Sequence, residues 1–415
     1  MITILDTAEE NKLRKKIDAL GAQGIRVIAG LAAEYESANG AYDLSVLSPG
    51  IDPAVPLVQN FIKRRIEMIG ELELAYEMCE CPIIAITGTN GKTTTTQLVE
   101  KMLLGCGVKT VAAGNIGPAF SARVRQSKEL DVMTLEVSSF QLETIRRFRP
   151  QTSVWLGFAA DHLDRYGSMD EYFAAKVRIF ENQTSEDWAI VNLRSELPKL
   201  AARAITFSAY AAGGDFELRE GVIFFRHERV LALAETKLRG LHNAENLMAA
   251  LGVGFVRGLS FAEMAAPLRD YQPLPHRCEP IRTVHGVEYV NDSKGTNTDS
   301  VEKALSSETR PVVLIVGGKD KGFEYDALTE LVAEKCRAVV VLGEMADRIE
   351  ALWKTRVRIA NAGWSLEKAV QLSRDFAVPG DVVLLSPGTS SFDMFKNYAD
   401  RGNQFRALVH AIETK

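Results

Sequence analysis

The sequence has no apolar run long enough to span a bilayer, since its most apolar segments, such as Val312–Val316, are only as long as a β-strand. The N-terminus lacks the basic, apolar and small-residue segments of a secretory signal peptide. Neither sign of charge dominates, because 49 basic and 54 acidic residues give a formal net charge of -5. We therefore expect neither a membrane nor a nucleic acid as a partner of this chain.

Cysteine is scarce, with five residues scattered along the chain. Only Cys79 and Cys81 are close together, and a C-x-C pair lacks both the CxxC spacing and the second pair of a zinc site. The sequence therefore predicts reduced thiols in a cytoplasmic protein, without a structural zinc.

Short apolar runs alternate with helical patterns through most of the 415 residues, which predicts α/β domains with parallel sheets. The predicted strands are Ile2–Leu5, Arg26–Ala29, Leu44–Leu47, Ile83–Thr87, Val132–Val137, Val154–Phe158, Val312–Val316, Val339–Leu342 and Val382–Leu385. The predicted helices are Glu9–Leu20, Thr93–Leu104, Met169–Phe180, Ala244–Arg257 and Leu366–Asp375. Apolar runs on either side of Glu220-Gly221 predict a hairpin between Phe216 and Leu233.

Two breaks in the pattern predict linkers. One is the stretch 76–82, and the other is 271–276, where two prolines end a helical region. We therefore predict domains at 1–71, 72–273 and 274–415. The first begins with a strand that ends at Asp6, and in dinucleotide-binding folds such an acid ends the second strand. The first strand, its glycine-rich loop and the first helix are therefore expected to be absent.

The strongest local motif is segment 83–94, in which an apolar strand leads through Gly88-Thr89-Asn90-Gly91-Lys92-Thr93 into a helix. Glycines let backbone N–H groups approach phosphates, the lysine supplies a cation, and the threonine hydroxyl suits Mg²⁺. The usual phosphate loop has a glycine where this chain has Ile86, so the motif is a shorter form of it.

Acidic and basic residues follow the next predicted strands. Glu136 is the one acid in an apolar strand and suits a metal near a phosphoryl group, although an acid at a solvent-exposed strand end explains it equally well. Asp161, His162 and Asp164 follow another strand, where α/β sheets bind ligands. By themselves, however, His162 also fits a structural role and Lys176 a solvated helix position.

Polar loops recur further along the chain. Asn243 fits a helix cap, and Asn246, one turn later, has an amide that can contact a base edge. Three polar loops in the last third of the chain lie at or near strand ends, at 276–279, 291–297 and 317–322.

Together these motifs resemble the Mur ligases, and among them those that add D-glutamate. The matching segments are ThrGlyThrAsnGlyLysThrThr (87–94), GlyAsnIleGly (114–117), LeuGluValSerSerPheGlnLeuGlu (135–143), AspHisLeuAspArgTyr (161–166) with Lys176, HisAsn (242–243), ProHisArg (275–277), AsnAspSerLysGlyThrAsn (291–297) and segment 386–405. The resemblance covers essentially the whole chain. It implies an α/β, three-domain architecture with a Rossmann-like N-terminal remnant, a P-loop central ATPase domain and a Rossmann-like C-terminal domain.

The resemblance also implies a reaction. D-glutamate is ligated to UDP-N-acetylmuramoyl-L-alanine through an acyl phosphate, with ATP and two Mg²⁺ ions, in peptidoglycan precursor synthesis by a cytoplasmic monomer. The closing of the domains over the substrates predicts a hinge at Gln272–Pro275.

Residue roles follow from the same resemblance. The residues implied for ATP are Gly88, Thr89, Asn90, Gly91, Lys92, Thr93, Thr94, Asn246, Arg277 and Asp292. Those implied for catalysis are Lys92, Glu136, His162 and Lys176, with one Mg²⁺ on Thr93 and Glu136 and the other on His162 and a carbamylated Lys176. Asp6, Thr7, Ser48 and Asn115 would face the UDP-sugar, and Lys294, Thr296, Lys321, Ser391 and Tyr398 would surround D-glutamate.

The chain departs from the family pattern in three places. Without the first glycine-rich turn, we expect weak binding of the UDP-sugar and a segment 1–71 that is the least stable part. Gly388-Thr389-Ser390 stands where AlaCysAla is usual, and Tyr398 replaces a usual Phe. Two alternative functions remain, a related ligase such as a folylpolyglutamate synthase and a catalytically impaired nucleotide-binding module.

Overall fold

The computed structural model describes residues 1–162 and 165–413. The strands are β1 Thr3–Asp6, β2 Arg26–Ala29, β3 Leu44–Leu47, β4 Glu67–Gly70, β5 Ile83–Thr87, β6 Thr110–Gly114, β7 Val132–Glu136, β8 Thr152–Trp155, β9 Trp188–Asn192, β10 Arg203–Ser208, β11 Phe216–Arg219, β12 Val222–Phe225, β13 Glu228–Ala232, β14 Glu279–Val284, β15 Val287–Asn291, β16 Val312–Gly317, β17 Cys336–Leu342, β18 Arg358–Asn361 and β19 Val382–Leu385.

The α-helices are α1 Glu10–Gly21, α2 Leu31–Asn39, α3 Pro56–Lys63, α4 Glu71–Glu77, α5 Lys92–Gly105, α6 Phe120–Arg123, α7 Ser139–Leu142, α8 Met169–Val177, α9 Leu241–Val256, α10 Phe261–Arg269, α11 Thr298–Ser306, α12 Thr329–Lys335, α13 Ala346–Trp353, α14 Leu366–Phe376 and α15 Tyr398–His410. Among residues 1–162 and 165–413, no helix combines the length and the apolar character that crossing a membrane requires. All five cysteines are free thiols, as predicted.

The first 70 residues form two small parallel sheets. β1 pairs with β2, and β3 pairs with β4. Helix α2 packs against β1, β2 and α3. Several large apolar side chains remain exposed in this part, among them Ile2, Leu31, Tyr35 and Val46. It therefore buries its apolar surface less completely than the sheets that follow.

A nine-stranded sheet forms the middle of the chain, in the order β13-β12-β11-β10-β9-β8-β5-β7-β6. Strand β5 lies between β7 and β8 in parallel register, and the chain leaves it first toward β6 and later toward β8. The carboxyl end of β5 is therefore at a topological switch point, where open α/β sheets bind ligands. Helices α5 and α9 pack against each other, and the apolar side chains of α9 fill the core on one face.

A six-stranded sheet in the order β14-β15-β19-β16-β17-β18 forms the last part of the chain. Only β14 is antiparallel to its neighbour. The central strands β16 and β19 are apolar and buried, as expected for a parallel sheet that is covered on both faces. The loops after β15, β16 and β19 leave the same edge of this sheet.

Most predicted elements match the structure within one or two residues. The predicted strand Val154–Phe158 is wrong in its bounds, because β8 ends at Trp155. Beyond it, the carbonyl of Gly157 (φ 136°) accepts a hydrogen bond from the N–H of Thr89 at 3.0 Å, which turns the chain out of the sheet. The predicted hairpin is confirmed, with β11 and β12 antiparallel about Glu220 (φ 48°) and Gly221 (φ 76°).

Candidate active site

A cavity of about 300 Å³ opens where the carboxyl ends of the two larger sheets face each other. Fifteen of the residues to which the family resemblance gives a role line it: Thr89, Asn90, Gly91, Lys92, Thr93, Thr94, Asn115, Glu136, His162, Lys176, Asn246, Arg277, Asp292, Lys294 and Thr296. Of the predicted ligand motif 161–166, Leu163 and Asp164 lie outside the described residues.

The phosphate loop runs from β5 into α5 and needs glycine at two positions. Gly91 has φ 85°, and a Cβ there would lie 2.4 Å from Oδ1 of Asn246. Gly88 has φ 143°, and a Cβ there would lie 2.9 Å from Cβ of Leu156. The loop therefore brings its backbone close to α9 and β8 and leaves the N–H groups at the start of α5 facing the cavity, which suits phosphates.

Lys92 folds back onto this loop. Its Nζ donates hydrogen bonds to the carbonyl oxygens of Gly88 at 2.9 Å and Thr89 at 2.8 Å. Burial lowers the pKa of the Lys92 amine, against the opposing field of Glu136 and Asp161. A phosphate placed at the loop would offer this amine a charged acceptor in place of two carbonyl groups.

Glu136 ends β7 with only 2% of its surface exposed, so the interpretation of a solvent-exposed acid is wrong. Its Oε1 accepts a hydrogen bond from the amide of Asn115 at 2.7 Å. Its Oε2 is buried and has no hydrogen-bond partner in the described part of the chain. A buried carboxylate oxygen that lacks a partner is costly, and a cation would satisfy it.

Lys176 is 1% exposed, so the alternative of a solvated helix residue is also wrong. Its Nζ donates to the carbonyl oxygen of Gly88 at 2.9 Å and lies 4.8 Å from the ring centre of Tyr172. Burial, followed by the charge of Lys92, lowers the pKa of the Lys176 amine well below its usual value. Both effects disfavour the charged form of this amine relative to that of an exposed lysine.

His162 follows Asp161 in a left-handed conformation, with φ 55°. Such backbone is strained for a residue other than glycine and is common at functional sites. The ring packs edge-on against Phe140 at 4.9 Å, and burial lowers the pKa of the imidazole. Asp161 itself is desolvated, yet the positive charges of His162 and Lys321 lower the pKa of its carboxyl group.

The side of the cavity formed by α9 carries the predicted amides. Asn243 is not the helix cap, because α9 begins at Leu241 after Gly240, and its amide donates to Arg239 O at 2.8 Å. Asn246 lines the cavity, but its amide also joins the helices, accepting from the Thr95 hydroxyl at 3.1 Å and donating to Asn243 at 3.1 Å.

On the opposite side, two left-handed residues, His276 (φ 66°) and Cys278 (φ 46°), flank Arg277, which lines the cavity. Asp292 accepts hydrogen bonds from Ser386 Oγ at 2.8 Å and from the N–H of Cys278 at 3.2 Å. Burial raises the pKa of Asp292 to about 6 in spite of these bonds.

The residues predicted for the amino acid are only partly brought together, with Lys294 and Thr296 in the cavity lining. Nζ of Lys294 lies 4.0 Å from the ring centre of Tyr398, and burial lowers the pKa of Lys294 to about 8. Lys321 and Tyr398 do not line the cavity itself, but Lys321 forms an ion pair with Asp161 at 2.9 Å. Ser391 is 3% exposed and also lies outside the cavity lining.

The residues predicted for the UDP-sugar are not all brought together. Asn115 is in the cavity, whereas Asp6, Thr7 and Ser48 do not line it. Oδ1 of Asp6 accepts from the N–H of Ala8 at 2.8 Å, while Thr7 and Ser48 are exposed. These three follow β1 and β3, the strands of the two small sheets.

The oxygen ligands at this site suit Mg²⁺ bound together with substrate phosphates, rather than a metal ion held by protein side chains alone. Within the described ranges, no group of three or more His, Cys, Asp or Glu side chains is placed to hold a metal ion. Mg²⁺ usually keeps several waters and takes one or two carboxylates together with substrate phosphates. The unsatisfied oxygen of Glu136, beside the phosphate loop and its Thr93, is consistent with that preference.

Sequence reasoning missed several residues that line the cavity. Apolar Leu238, Pro273 and Leu274 are part of the cavity lining, and apolar side chains of this kind suit the face of a base. Asn297 and Ser300 also line it, and both bond to Asn90 of the phosphate loop. Asn297 ends the polar loop 291–297 that the sequence singled out, but no role followed for its side chain, since the Asn-x-x-Ser spacing predicts a helix cap.

Two family profiles match the chain. The Mur ligase middle domain matches residues 86–254, and the Mur ligase glutamate ligase domain matches residues 276–388. The chain is 40% identical over 430 residues to the UDP-N-acetylmuramoylalanine–D-glutamate ligase of Geobacter metallireducens, covering 100% of this chain and 92% of the relative. It is 41% identical over 425 residues to the protein of the same name from Geotalea uraniireducens, covering 99% and 92%.

Solved structures show the same fold at low identity. The UDP-N-acetylmuramate–alanine ligase MurC of Thermotoga maritima matches with a TM-score of 0.63 at 16% identity, covering 100% of both chains. MurF ligase of Thermotoga maritima in complex with ADP matches with a TM-score of 0.60 at 17% identity, covering 89% of this chain and 96% of that one. These matches agree with the predicted α/β architecture.

Proposed function

Because this chain belongs to the Mur ligase family, we propose that it joins D-glutamate to UDP-N-acetylmuramoyl-L-alanine in a reaction that consumes ATP. The observation that supports this most directly is the cavity, in which a phosphate loop from one sheet faces the polar loops of another. Relatives that are about 40% identical over the full chain carry the name of that ligase. We propose the same role in the synthesis of peptidoglycan precursors.

The proposed reaction has two steps. An oxygen of the alanine carboxylate attacks the γ-phosphorus of ATP, which forms an acyl phosphate and releases ADP. The amine of D-glutamate then attacks the acyl carbon, a tetrahedral intermediate forms, and phosphate leaves as the amine loses its proton. The first step is required because a free carboxylate is a poor acyl donor.

The nucleotide would lie along the side of the cavity formed by β5, α5 and α9. In this proposal the N–H groups at the start of α5 and the Lys92 amine hold the phosphates, as at other helix N-termini. Asn246 and the apolar Leu238 and Leu274 contact the base, and Arg277 and Asp292 complete the nucleotide site. Positive charge at this position stabilises the phosphoryl group during its transfer.

Two Mg²⁺ ions are part of the proposal, one held by Thr93 and Glu136 and the other by His162 and Lys176. When bound, Mg²⁺ supplies charge neutralisation for the phosphoryl group. We propose that the buried Lys176 amine is carbamylated: in its neutral form the nitrogen forms a bond to the carbon of CO₂, and a proton is released. The product carries anionic oxygens, the ligand type that Mg²⁺ prefers.

D-glutamate would lie between Lys294, Thr296, Lys321, Ser391 and Tyr398, where two amines can pair with its two carboxylates. The UDP-sugar would lie between Asn115 and the loops that carry Asp6, Thr7 and Ser48. The division into domains 1–71, 72–273 and 274–415 is supported by the sheets, each of which lies within one of these ranges. A monomer acting in the cytoplasm completes the proposal.

Phosphate release tests this function. The chain is incubated with ATP, Mg²⁺ and UDP-N-acetylmuramoyl-L-alanine against a panel of D- and L-amino acids, and a pterin replaces the UDP-sugar in a parallel series. We expect release only with both the UDP-sugar and D-glutamate. Release with the pterin would indicate a folylpolyglutamate synthase, and no release under any condition would indicate an impaired nucleotide-binding module.

A further inference from the structure

Asn297 is the residue that precedes helix α11, and it is buried, with 2% of its surface exposed. Its side-chain oxygen accepts a hydrogen bond from the N–H of Ser300 at 2.9 Å, as an ordinary helix cap does. Lys294 and Thr296, two residues proposed for D-glutamate, belong to the short loop that ends at Asn297. The position of this side chain therefore affects the geometry of that loop.

The same side chain contacts two residues from the opposite side of the cavity. Its amide oxygen accepts a hydrogen bond from the amide nitrogen of Asn90 in the phosphate loop at 3.2 Å, and its amide nitrogen donates to the Asn90 oxygen at 3.4 Å. Its nitrogen also donates to Oδ2 of Asp161 at 3.2 Å. A cap alone requires neither of these contacts.

Asp161 extends the connection to the loop after β16. Its other oxygen, Oδ1, forms an ion pair with Lys321 at 2.9 Å. Asn297 and Lys321 thus bind the two oxygens of one carboxylate, which itself belongs to the central part of the chain. The phosphate loop and two loops of the C-terminal sheet are joined at this point.

Only a side-chain amide meets all these requirements together. The cap needs an acceptor, whereas Asp161 and the Asn90 oxygen each need a donor. A serine can cap the helix, but its side chain is too short to make the other contacts. An aspartate can cap the helix too, but it has no donor and would place a second negative charge beside Asp161.

We propose that Asn297 is a positioning residue for the ligation step, which holds the start of α11 against the phosphate loop so that the amine of D-glutamate reaches the activated carboxyl group. This inference rests on the proposed function. The side chain acts through Asn90 and Asp161 rather than on a substrate. Its loss should therefore lower kcat while ATP binding is largely retained, since misplacement of reacting groups is costly to rate.

The first test is Asn297→Ser, which retains a capping oxygen and loses the contacts with Asn90 and Asp161. We expect kcat to fall about 10- to 100-fold, as for the loss of these three hydrogen bonds, with the KM for ATP and the Tm little changed. The matched control is Ser365→Ala, which removes the cap of the remote helix α14, where Ser365 Oγ accepts from the N–H of Lys368 at 3.1 Å. This control should lower the Tm and leave kcat unchanged.

The second test is a double-mutant cycle. Asn297→Asp alone should lower kcat further than Asn297→Ser, because it opposes two carboxylates. Combining it with Asp161→Asn restores an amide–carboxylate contact with the donor and acceptor exchanged, so kcat should recover in part relative to Asn297→Asp. Strictly additive losses in the double variant would overturn the proposal.

The outcomes separate this inference from the proposed function. A wild-type chain without phosphate release that depends on D-glutamate overturns both. An active wild-type chain with a normal kcat in Asn297→Ser overturns the inference alone. A loss of kcat in Asn297→Ser that only follows a loss of Tm, as in an ordinary cap deletion, also overturns it.

Discussion

Nζ of Lys176 donates a hydrogen bond of 2.9 Å to the carbonyl oxygen of Gly88, so a buried amine contacts the first residue of the phosphate loop. Lys176 is buried beside the expected position of the phosphates, where the like charge of Lys92 acts on its amine. Burying an amine among other amines is unfavourable unless the group is neutral or modified. The contact therefore predicts a chemical role for Lys176.

Lys176→Ala should lower kcat by about 100-fold or more, comparable to the loss of a group that stabilises transition-state charge. If the amine is carbamylated, ¹³C-labelled bicarbonate should give a carbamate signal in NMR spectra of the wild-type chain and none in the variant. Lys199→Ala, at an exposed position of the same part of the chain, is the control. Full activity in Lys176→Ala would contradict the prediction.

Lys92→Ala should nearly abolish ADP formation and leave the fold intact. Among the described residues, the side chain bonds only to carbonyl groups of its own loop, so its removal breaks no distant hydrogen bond there. We expect a loss of about 100- to 1000-fold in kcat, with little change in Tm. Exposed Lys109→Ala serves as the control, and ordinary turnover in Lys92→Ala would show that the loop does not bind phosphates.

Lys321→Ala and Ser391→Ala should act on D-glutamate rather than on ATP. Loss of one charge-assisted hydrogen bond should raise the KM for D-glutamate roughly 10- to 100-fold in Lys321→Ala, and less in Ser391→Ala, whose hydroxyl is neutral. The KM for ATP, measured in the same steady-state assay, should stay close to that of the wild type and of exposed Lys368→Ala. Damage confined to ATP binding would refute these roles.

His242 should make stability depend on pH. Desolvation, helped by the charge of Lys303, lowers the pKa of His242 to about 4, whereas the unfolded chain keeps the ordinary value of 6.5. Between pH 6.5 and 4, the imidazole of His242 is protonated in the unfolded chain but not in the folded chain. The free energy of unfolding therefore keeps its full value above pH 6.5 and decreases as the pH falls toward 4. It amounts to at most about 3 kcal/mol.

The matched variant for this prediction is His242→Gln, which cannot titrate. Asp292, with its pKa raised to about 6, acts in the opposite direction, because its folded form binds the proton more tightly. The wild type and His242→Gln both contain Asp292, so the difference between their unfolding free energies gives the effect of titrating His242 alone. That difference, measured by urea denaturation from pH 4 to 7, should change across this window, and parallel curves would contradict the assignment.

The sequence by itself determined the elements and the phosphate loop. Apolar runs with flanking turn residues located β5, β7 and β19 to within a residue, because a buried parallel strand must be continuously apolar. Gly88 and Gly91 were recognisable because they lie in a glycine-rich turn between a strand and a helix, and both adopt a positive φ that favours glycine, 143° and 85°. The strands and the phosphate loop could be predicted because they depend on residues close in sequence or on backbone conformations that glycine favours.

Only the tertiary structure decided between the structural and the functional interpretations of several polar residues that the family resemblance had singled out. Lys176 looks like a surface residue until α8 packs over Gly88, and Glu136 is ambiguous until its Oε2 is found buried and without a hydrogen-bond partner among the residues that the structure describes. Asn297 looks like a cap until the central part of the chain places Asn90 and Asp161 against it. Burial and hydrogen bonding between residues more than 80 positions apart set these roles, and local sequence patterns do not encode which distant groups will meet.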